Sequence, residues 1–274
     1  MTDEPMLVGP GEGEDLGRNF LILGGREELV LTEFNYPPGE QGPRRHIHRH
    51  HADAFYVLDG RLQITLDEEQ QILDPGGFVL IPPGVIHTFA NPDPQLGRYL
   101  NLHAPGCGFD EYLRGRLKDF DQEYDVPPGS GRPTSEAVLR QPGEGEEIVI
   151  GPSRAVVKAA GGDGMGSLAI LESTAAPGFP GPRLHLHEET VDSYFVIEGT
   201  LTLQLDGRTA EAPAGSYVLI PPGNAHTFSN PGDDPVRFLN VMAPGGFEGY
   251  LREAAARSGP PDDDTAARYD FRAI

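Results

Sequence analysis

Short apolar runs separated by turn residues recur along the whole chain. In the first half they are FLIL (20–23), LVLTEF (29–34), FYVLDG (55–60), LQITL (62–66), FVLI (78–81) and YLNL (99–102). In the second half AVV (155–157), LAILE (168–172), YFVIEG (194–199), LTLQL (201–205), YVLI (217–220) and FLNV (238–241) answer them. Runs this short, bounded by Gly, Pro, Asn and Asp, read as β-strands. Two stretches carry helical periodicity instead, about 109–120 (FDEYLRGRLKDF) and about 247–257 (FEGYLREAAAR), each just after the last strand of its half. The pattern predicts an all-β sandwich or barrel in each half, closed by one short C-terminal helix.

The two halves are copies. GGFVLIPPGVIHTFANP (76–92) and GSYVLIPPGNAHTFSNP (215–231) are identical at twelve of seventeen positions, at an offset of 139. At the same offset GPRRHIHRHHADAFYVLDG (42–60) matches GPRLHLHEETVDSYFVIEG (181–199), and LNLHAPG (100–106) matches LNVMAPG (239–245). PGEGE occurs at 10–14 and again at 142–146. A repeat of this length implies two domains, placed at about 1–130 and 135–274. The Pro- and Gly-rich VPPGSGRPTSE (126–136) reads as the linker.

Composition narrows the function classes. Gly (36) and Pro (27) are abundant, which favours turns over long helices. A net charge of −21 repels phosphate backbones and argues against nucleic-acid binding. The single cysteine, Cys107, excludes an intrachain disulfide. The acidic amino-terminal stretch lacks the features of a signal peptide, and no apolar run approaches a membrane span, so a soluble cytoplasmic protein is expected.

The chemistry sits in the histidines. Six of nine form matched pairs: His46/His185, His48/His187 and His87/His226. His50, His51 and His103 occur only in the first half, where the second has Glu189, Thr190 and Met242. His-x-His on a strand sets two imidazoles side by side, and neutral imidazole suits zinc, copper, iron and nickel. The turns before His87 and His226, PPGVIH and PPGNAH, bring a third imidazole toward the same barrel.

These features resemble the cupin family in both of its motifs. In the first, His-x-His is followed by a carboxylate and then a glycine, here His46, His48, Asp53 and Gly60, and His185, His187, Asp192 and Gly199. The second fits fully at Gly76, Pro82, Gly84, His87 and Asn91, and at Gly215, Pro221, Gly223, His226 and Asn230. Two departures stand out. Gly42 lies closer to His46 than the family's opening glycine does, and aspartate replaces the family's glutamate. The resemblance implies a bicupin of two tandem double-stranded β-helix (jelly-roll) barrels. It also implies one divalent transition metal per domain (Fe, Mn, Ni, Cu or Zn), held by His46, His48 and His87 and by His185, His187 and His226. Asp53 and Asp192 are either further ligands or hydrogen-bond partners of a turn or a ring. Strand alternation puts Asp53 on the face opposite His48, so a ligand role requires a bend between them. His50 and His51 read as mouth or surface residues, and His103 as a residue that reaches the first cavity if its strand face points inward.

Fold alone does not give function. The resemblance implies a quercetin-dioxygenase-like enzyme acting on a small oxygen-rich organic substrate and O₂, with Asp53, His50 or His103 moving a proton. Chemistry is expected in the first half, where the additional histidines lie. Two alternatives stand beside this reading: a metal-dependent isomerase, cyclase or decarboxylase that uses no O₂, and a non-catalytic ligand-binding or storage bicupin. A monomer or homodimer is expected.

Overall fold

The computed structural model describes residues 3–257 and 259–274 and divides into two compact units. The first-half unit comprises Gly13–Glu144 and Gly162–Ser167. The second-half unit comprises the residues up to Glu12, Gly145–Gly161 and Leu168–Ile274. Each contains one seven-stranded and one five-stranded antiparallel sheet, so the all-β, double jelly-roll expectation holds.

In the first-half unit the large sheet runs Val138–Arg140, Phe78–Ile81, Ala52–Asp59, Gly97–Ala104, Val30–Tyr36, Phe20–Gly25, Glu14–Asp15. The small sheet runs Glu123–Tyr124, His46–Ile47, His87–Ala90, Leu62–Leu66, Glu69–Leu73. Strand alternation sends Phe55 and Val57 to one face, where they join Ile64, Val79, Ile81 and Phe89 in the core. The second-half unit repeats this order, and its core gathers Tyr194, Val196, Leu203, Val218, Ile220 and Phe238.

The unit boundaries differ from a cut at residues 130–135. Val138–Arg140 precedes the second repeat but pairs with Phe78–Ile81, with Val138 opposite Leu80. Met6–Val8 precedes the first repeat but pairs with Tyr217–Ile220, with Met6 opposite Leu219. Without these pairings Phe78–Ile81 and Tyr217–Ile220 would be sheet edges with unpaired backbone groups. Each copy of PGEGE follows one of these exchanged strands.

The helices also differ in extent. The stretch expected as helix over 109–120 is helical only at Phe109–Leu113. Gly115 takes the left-handed conformation (φ 74°) that commonly ends a helix. The second-half helix spans Glu248–Arg257, close to expectation, and is followed by a short helix, Asp263–Ala267, that periodicity does not reveal. No helix among the described residues is long and apolar enough to cross a membrane.

Candidate metal centres

The strand expected through His46-x-His48 is only two residues long, His46–Ile47. His48 lies just past its end, and Asp53 sits on a strand of the other sheet, Ala52–Asp59. The four residues between turn the chain from one sheet to the other. Alternation therefore does not oppose Asp53 to His48, and both side chains are buried facing each other. His46 stands across from His87 in the register of the small sheet, as His185 stands across from His226.

One residue pins the turn in each half, and neither was evident in the sequence. In the first half the Asp121 carbonyl accepts from His48 Nδ1 (2.6 Å). Its carboxylate accepts the backbone N–H of Arg49 (3.0 Å) and of His50 (2.7 Å), and His51 Nδ1 at 3.0 Å. In the second half the Asp270 carbonyl accepts from His187 Nδ1 (2.5 Å), and its carboxylate accepts the N–H groups of Glu188, Glu189 and Thr190. Burial alone would raise the Asp121 carboxyl. The hydrogen bonds from the His51 ring and from the Arg49 and His50 amides outweigh it and hold the group well below the usual carboxylate range.

Each of the six duplicated histidine rings is oriented from behind. Nδ1 of His46 donates to the Arg44 carbonyl (2.9 Å), and Nδ1 of His87 to the Val85 carbonyl (3.0 Å). His185 and His226 donate likewise to Arg183 and Asn224. A proton fixed on Nδ1 leaves the Nε2 lone pair pointing inward, the arrangement metal-binding histidines use. Burial, reinforced by neighbouring imidazoles, pushes His46 and His185 down to about 3 and His48 well below its ordinary value. Burial lowers His187 as well. Neutral rings with free lone pairs are the form that binds a cation.

The donor atoms converge. Those of His46, His48 and His87 lie within 4.8 Å of one another, and so do those of His185, His187, Asp192 and His226. Nε2 of His48, His87 and His187 is buried with no hydrogen-bond partner among the described residues. Buried acceptors in that state are costly, and a bound cation would satisfy them. The donor sets thus fit a divalent transition metal in both halves.

The sequence treats the two aspartates alike; their surroundings differ. Asp192 Oδ1 accepts from Asn240 (2.5 Å), and Oδ2 accepts from Tyr194 Oη (2.5 Å) and faces His226 Nε2 at 3.1 Å. Burial, together with the Asp192 charge, raises the Tyr194 phenol well above 10. Asp53 Oδ1 accepts from Asn101 (2.5 Å), but Oδ2 accepts from no hydroxyl or amide among the described residues and faces His87 Nε2 at 3.3 Å and His48 Nε2 at 3.9 Å. Phe55 replaces Tyr194 in the repeat, so the hydroxyl is missing there. His103, in place of Met242, brings Nε2 to 3.7 Å from Asp53 Oδ1 and stacks on Phe109 at 3.7 Å.

His103 is buried and lines the first cavity. His51 is fully buried, in contrast to the mouth or surface position expected for it. His50 is at the surface, its side chain 79% exposed and 3.2 Å from Asp121, and does not line the cavity. Arg44 and Arg183 form exposed ion pairs with Asp125 and Asp263. Glu33 pairs with Arg98 and Glu172 with Lys158, outside both cavities.

A cavity opens onto each centre. The first, about 290 Å³, is lined by His46, His48, Asp53, Asn101 and His103, with Arg18, Glu40, Gln122 and the tyrosines Tyr36, Tyr112 and Tyr124 on its walls. The second, about 330 Å³, reaches His185, Asp192 and Asn240 and is walled by Phe179, Phe228, Phe238, Phe247, Tyr250 and Phe271.

Known proteins carry the same plan. The chain is 23% identical to quercetin 2,3-dioxygenase of Bacillus subtilis (strain 168) over 290 aligned positions, covering 90% of this chain and 85% of that protein. Its fold matches an oxalate decarboxylase structure from Bacillus subtilis with a TM-score of 0.57 at 19% identity, covering 80% of this chain and 69% of the other. A further oxalate decarboxylase structure matches with a TM-score of 0.63 over 90% of this chain and 79% of the other, again at 19% identity. The cupin domain model matches twice, at residues 32–103 and 171–242, the first match holding His46, His48 and His87 and the second His185, His187 and His226, and the chain therefore belongs to the cupin family as a bicupin.

Proposed function

We propose that the protein is a metal-dependent bicupin enzyme, an oxygenase of the quercetin-dioxygenase type that acts on a small oxygen-rich organic substrate in the first half. The observation that carries this reading is the first centre itself. Three imidazoles converge there beside a carboxylate oxygen that accepts from no donor among the described residues, and His46, His48 and Asp53 line a cavity of about 290 Å³. The relatives add weight, since one is a quercetin dioxygenase and another has been described by its Mn(II) centres.

His46, His48 and His87 would hold the catalytic ion, and His185, His187, His226 and Asp192 the other. When bound, a divalent ion supplies Lewis acidity toward a substrate oxygen and open coordination positions. The chain's own residues do the rest. Asn101 fixes the Asp53 carboxylate through Oδ1 and leaves Oδ2 to take the proton of a substrate hydroxyl. Tyr36, Tyr112 and Tyr124 offer hydroxyls to an oxygen-rich ligand, and Phe20, Phe34, Phe55 and Phe109 keep water from its ring.

Elemental analysis of untagged protein and an oxygen electrode test the reading together, with quercetin as the probe substrate. Bound transition metal and oxygen uptake that tracks substrate loss are the expected results. Substrate conversion without oxygen uptake would overturn the oxygenase assignment, and protein free of transition metal would overturn the metalloenzyme reading altogether.

A further inference from the structure

The first half contains a second set of three imidazoles, His48, His51 and His103, whose donor atoms also lie within 4.8 Å of one another. Only His48 belongs to the cluster already described. All three residues are at most 3% exposed. His48 Nε2, His51 Nε2 and His103 Nδ1 are each buried with no hydrogen-bond partner among the described residues.

The other nitrogen of each ring dictates what these three atoms are. His48 Nδ1 meets the Asp121 carbonyl at 2.6 Å and must carry the proton. His51 Nδ1 meets the Asp121 carboxylate at 3.0 Å and must carry it too. His103 Nε2 meets Asn101 Oδ1 at 3.1 Å. The Asn101 amide donates to Asp53 Oδ1 and to the Ala54 carbonyl, which fixes its orientation and makes Oδ1 an acceptor. His103 Nε2 is therefore the donor and Nδ1 the lone pair. Each ring thus keeps one buried acceptor without a donor, and the three rings approach with one nitrogen of each within 4.8 Å of the others, which calls for a cation or for ordered water. Phe109 and Phe120 wall the group, with the His51 and Phe120 ring centres 5.2 Å apart.

We propose that the first half offers a transition-metal ion two alternative positions that share His48: one held by His46, His48 and His87, the other by His48, His51 and His103. A neutral imidazole nitrogen binds one ion, so the two positions exclude each other. The second half offers a single position, because Thr190 and Met242 stand where His51 and His103 would be.

The proposal extends the metal reading above, and zinc counting separates the failure of one from that of the other. His46→Asn with His87→Asn retains an amide that can donate to the Arg44 and Val85 carbonyls and removes the inward nitrogens. Untagged protein is saturated with Zn(II), desalted and analysed. Wild type should hold two zinc ions per chain. The double variant should still hold two, and adding His51→Thr and His103→Met should leave one. A double variant with one zinc overturns the second position while leaving the metal reading intact. A wild type with no zinc in the first half overturns both.

A second measurement leaves His46 and His87 in place, so it does not depend on that variant folding. With the second-half centre removed by His185→Asn and His187→Asn, the Cu(II) electron paramagnetic resonance spectrum should show two nitrogen-ligated species. His51→Thr with His103→Met should reduce them to one. A single species indifferent to those two substitutions overturns the proposal.

Discussion

At the scale of single residues, the aspartates behind the clusters do as much as the histidines in front. Asp121 joins four groups of the 48–51 turn through its carbonyl and carboxylate, and Asp270 does the same in the second half. Removal of such a supporting group typically costs about 10- to 100-fold in metal affinity. Asp121→Ala keeps the main-chain carbonyl that orients His48 and removes the carboxylate that holds the Arg49 and His50 amides and the His51 ring, so it should weaken first-half zinc binding by no more than about 10-fold and leave second-half affinity unchanged, as competition with a chromophoric chelator will show. Equal weakening in both halves would contradict the local role. The ring environments also set a pH dependence for the metal-free protein. Folding holds His46 and His185 down at about 3, against about 6.5 for an unfolded histidine. Between those values the unfolded chain binds more protons than the folded one, so stability falls as pH drops from about 6.5 toward about 3. Urea unfolding of chelated protein at pH 7, 6, 5 and 4 should show a steadily falling midpoint. A flat midpoint over that range would mean that the rings are hydrated. The six duplicated histidines were legible in the sequence because they repeat. Asp121 and Asp270 were not, because they lie 149 residues apart instead of 139, displaced by the longer helix Glu248–Arg257 and the added short helix Asp263–Ala267 in the second half.

At the scale of elements, the Pro-Pro-Gly turns tie the strand before each third histidine to the second histidine. The Gly84 amide donates to the His48 carbonyl (2.8 Å), and the Gly223 amide to the His187 carbonyl (2.6 Å). Both glycines have positive φ, +86° and +83°, so alanine at either is strained by roughly 1–2 kcal/mol. Their neighbours differ. A Cβ on Gly84 would lie 2.1 Å from the Arg132 carbonyl oxygen, whereas one on Gly223 meets nothing within 4 Å. Overpacking against backbone adds about 1–3 kcal/mol. Gly84→Ala should thus lower the melting temperature distinctly more than Gly223→Ala and should weaken first-half metal binding as well; equal effects would show that the 131–133 segment yields. Most central strands were legible from apolar runs between turn residues. The two-residue strands at Glu123 and Arg272 were not, since a segment that short has no period to detect, and the strands expected through the two His-x-His pairs are only two residues long, His46–Ile47 and His185–Leu186. The first-half helix was overextended because its pattern continues past Gly115, and the backbone freedom of that residue overrides periodicity.

At the scale of the whole molecule, the duplication was plain in the sequence, while the exchange of Met6–Val8 and Val138–Arg140 between repeats was not. Hydrophobic pattern marks a strand but does not name its partner, and only sheet register does. The two halves share a scaffold and differ in what surrounds the ion. The first has an aspartate with one oxygen free of donors, a buried second set of imidazoles and a cavity wall with charged and hydroxyl groups. The second has an aspartate held at both oxygens by Asn240 and Tyr194 and a more apolar cavity wall, in which Arg154, Arg183 and the hydroxyls of Ser153, Ser173 and Thr174 stand among aromatic and aliphatic side chains. A carboxylate already accepting at both oxygens is a poorer base than one with an oxygen to spare. Turnover should therefore depend on the first half. His48→Ala removes a donor common to both first-half ion positions and should abolish oxygen uptake with quercetin. His187→Ala should lower the zinc content by one ion per chain and leave a substantial part of the uptake. Circular dichroism on both variants separates unfolding from lost chemistry. An inactive His187→Ala beside an active His48→Ala would move the reaction to the second half, and with it the role of base from Asp53 to Asp192.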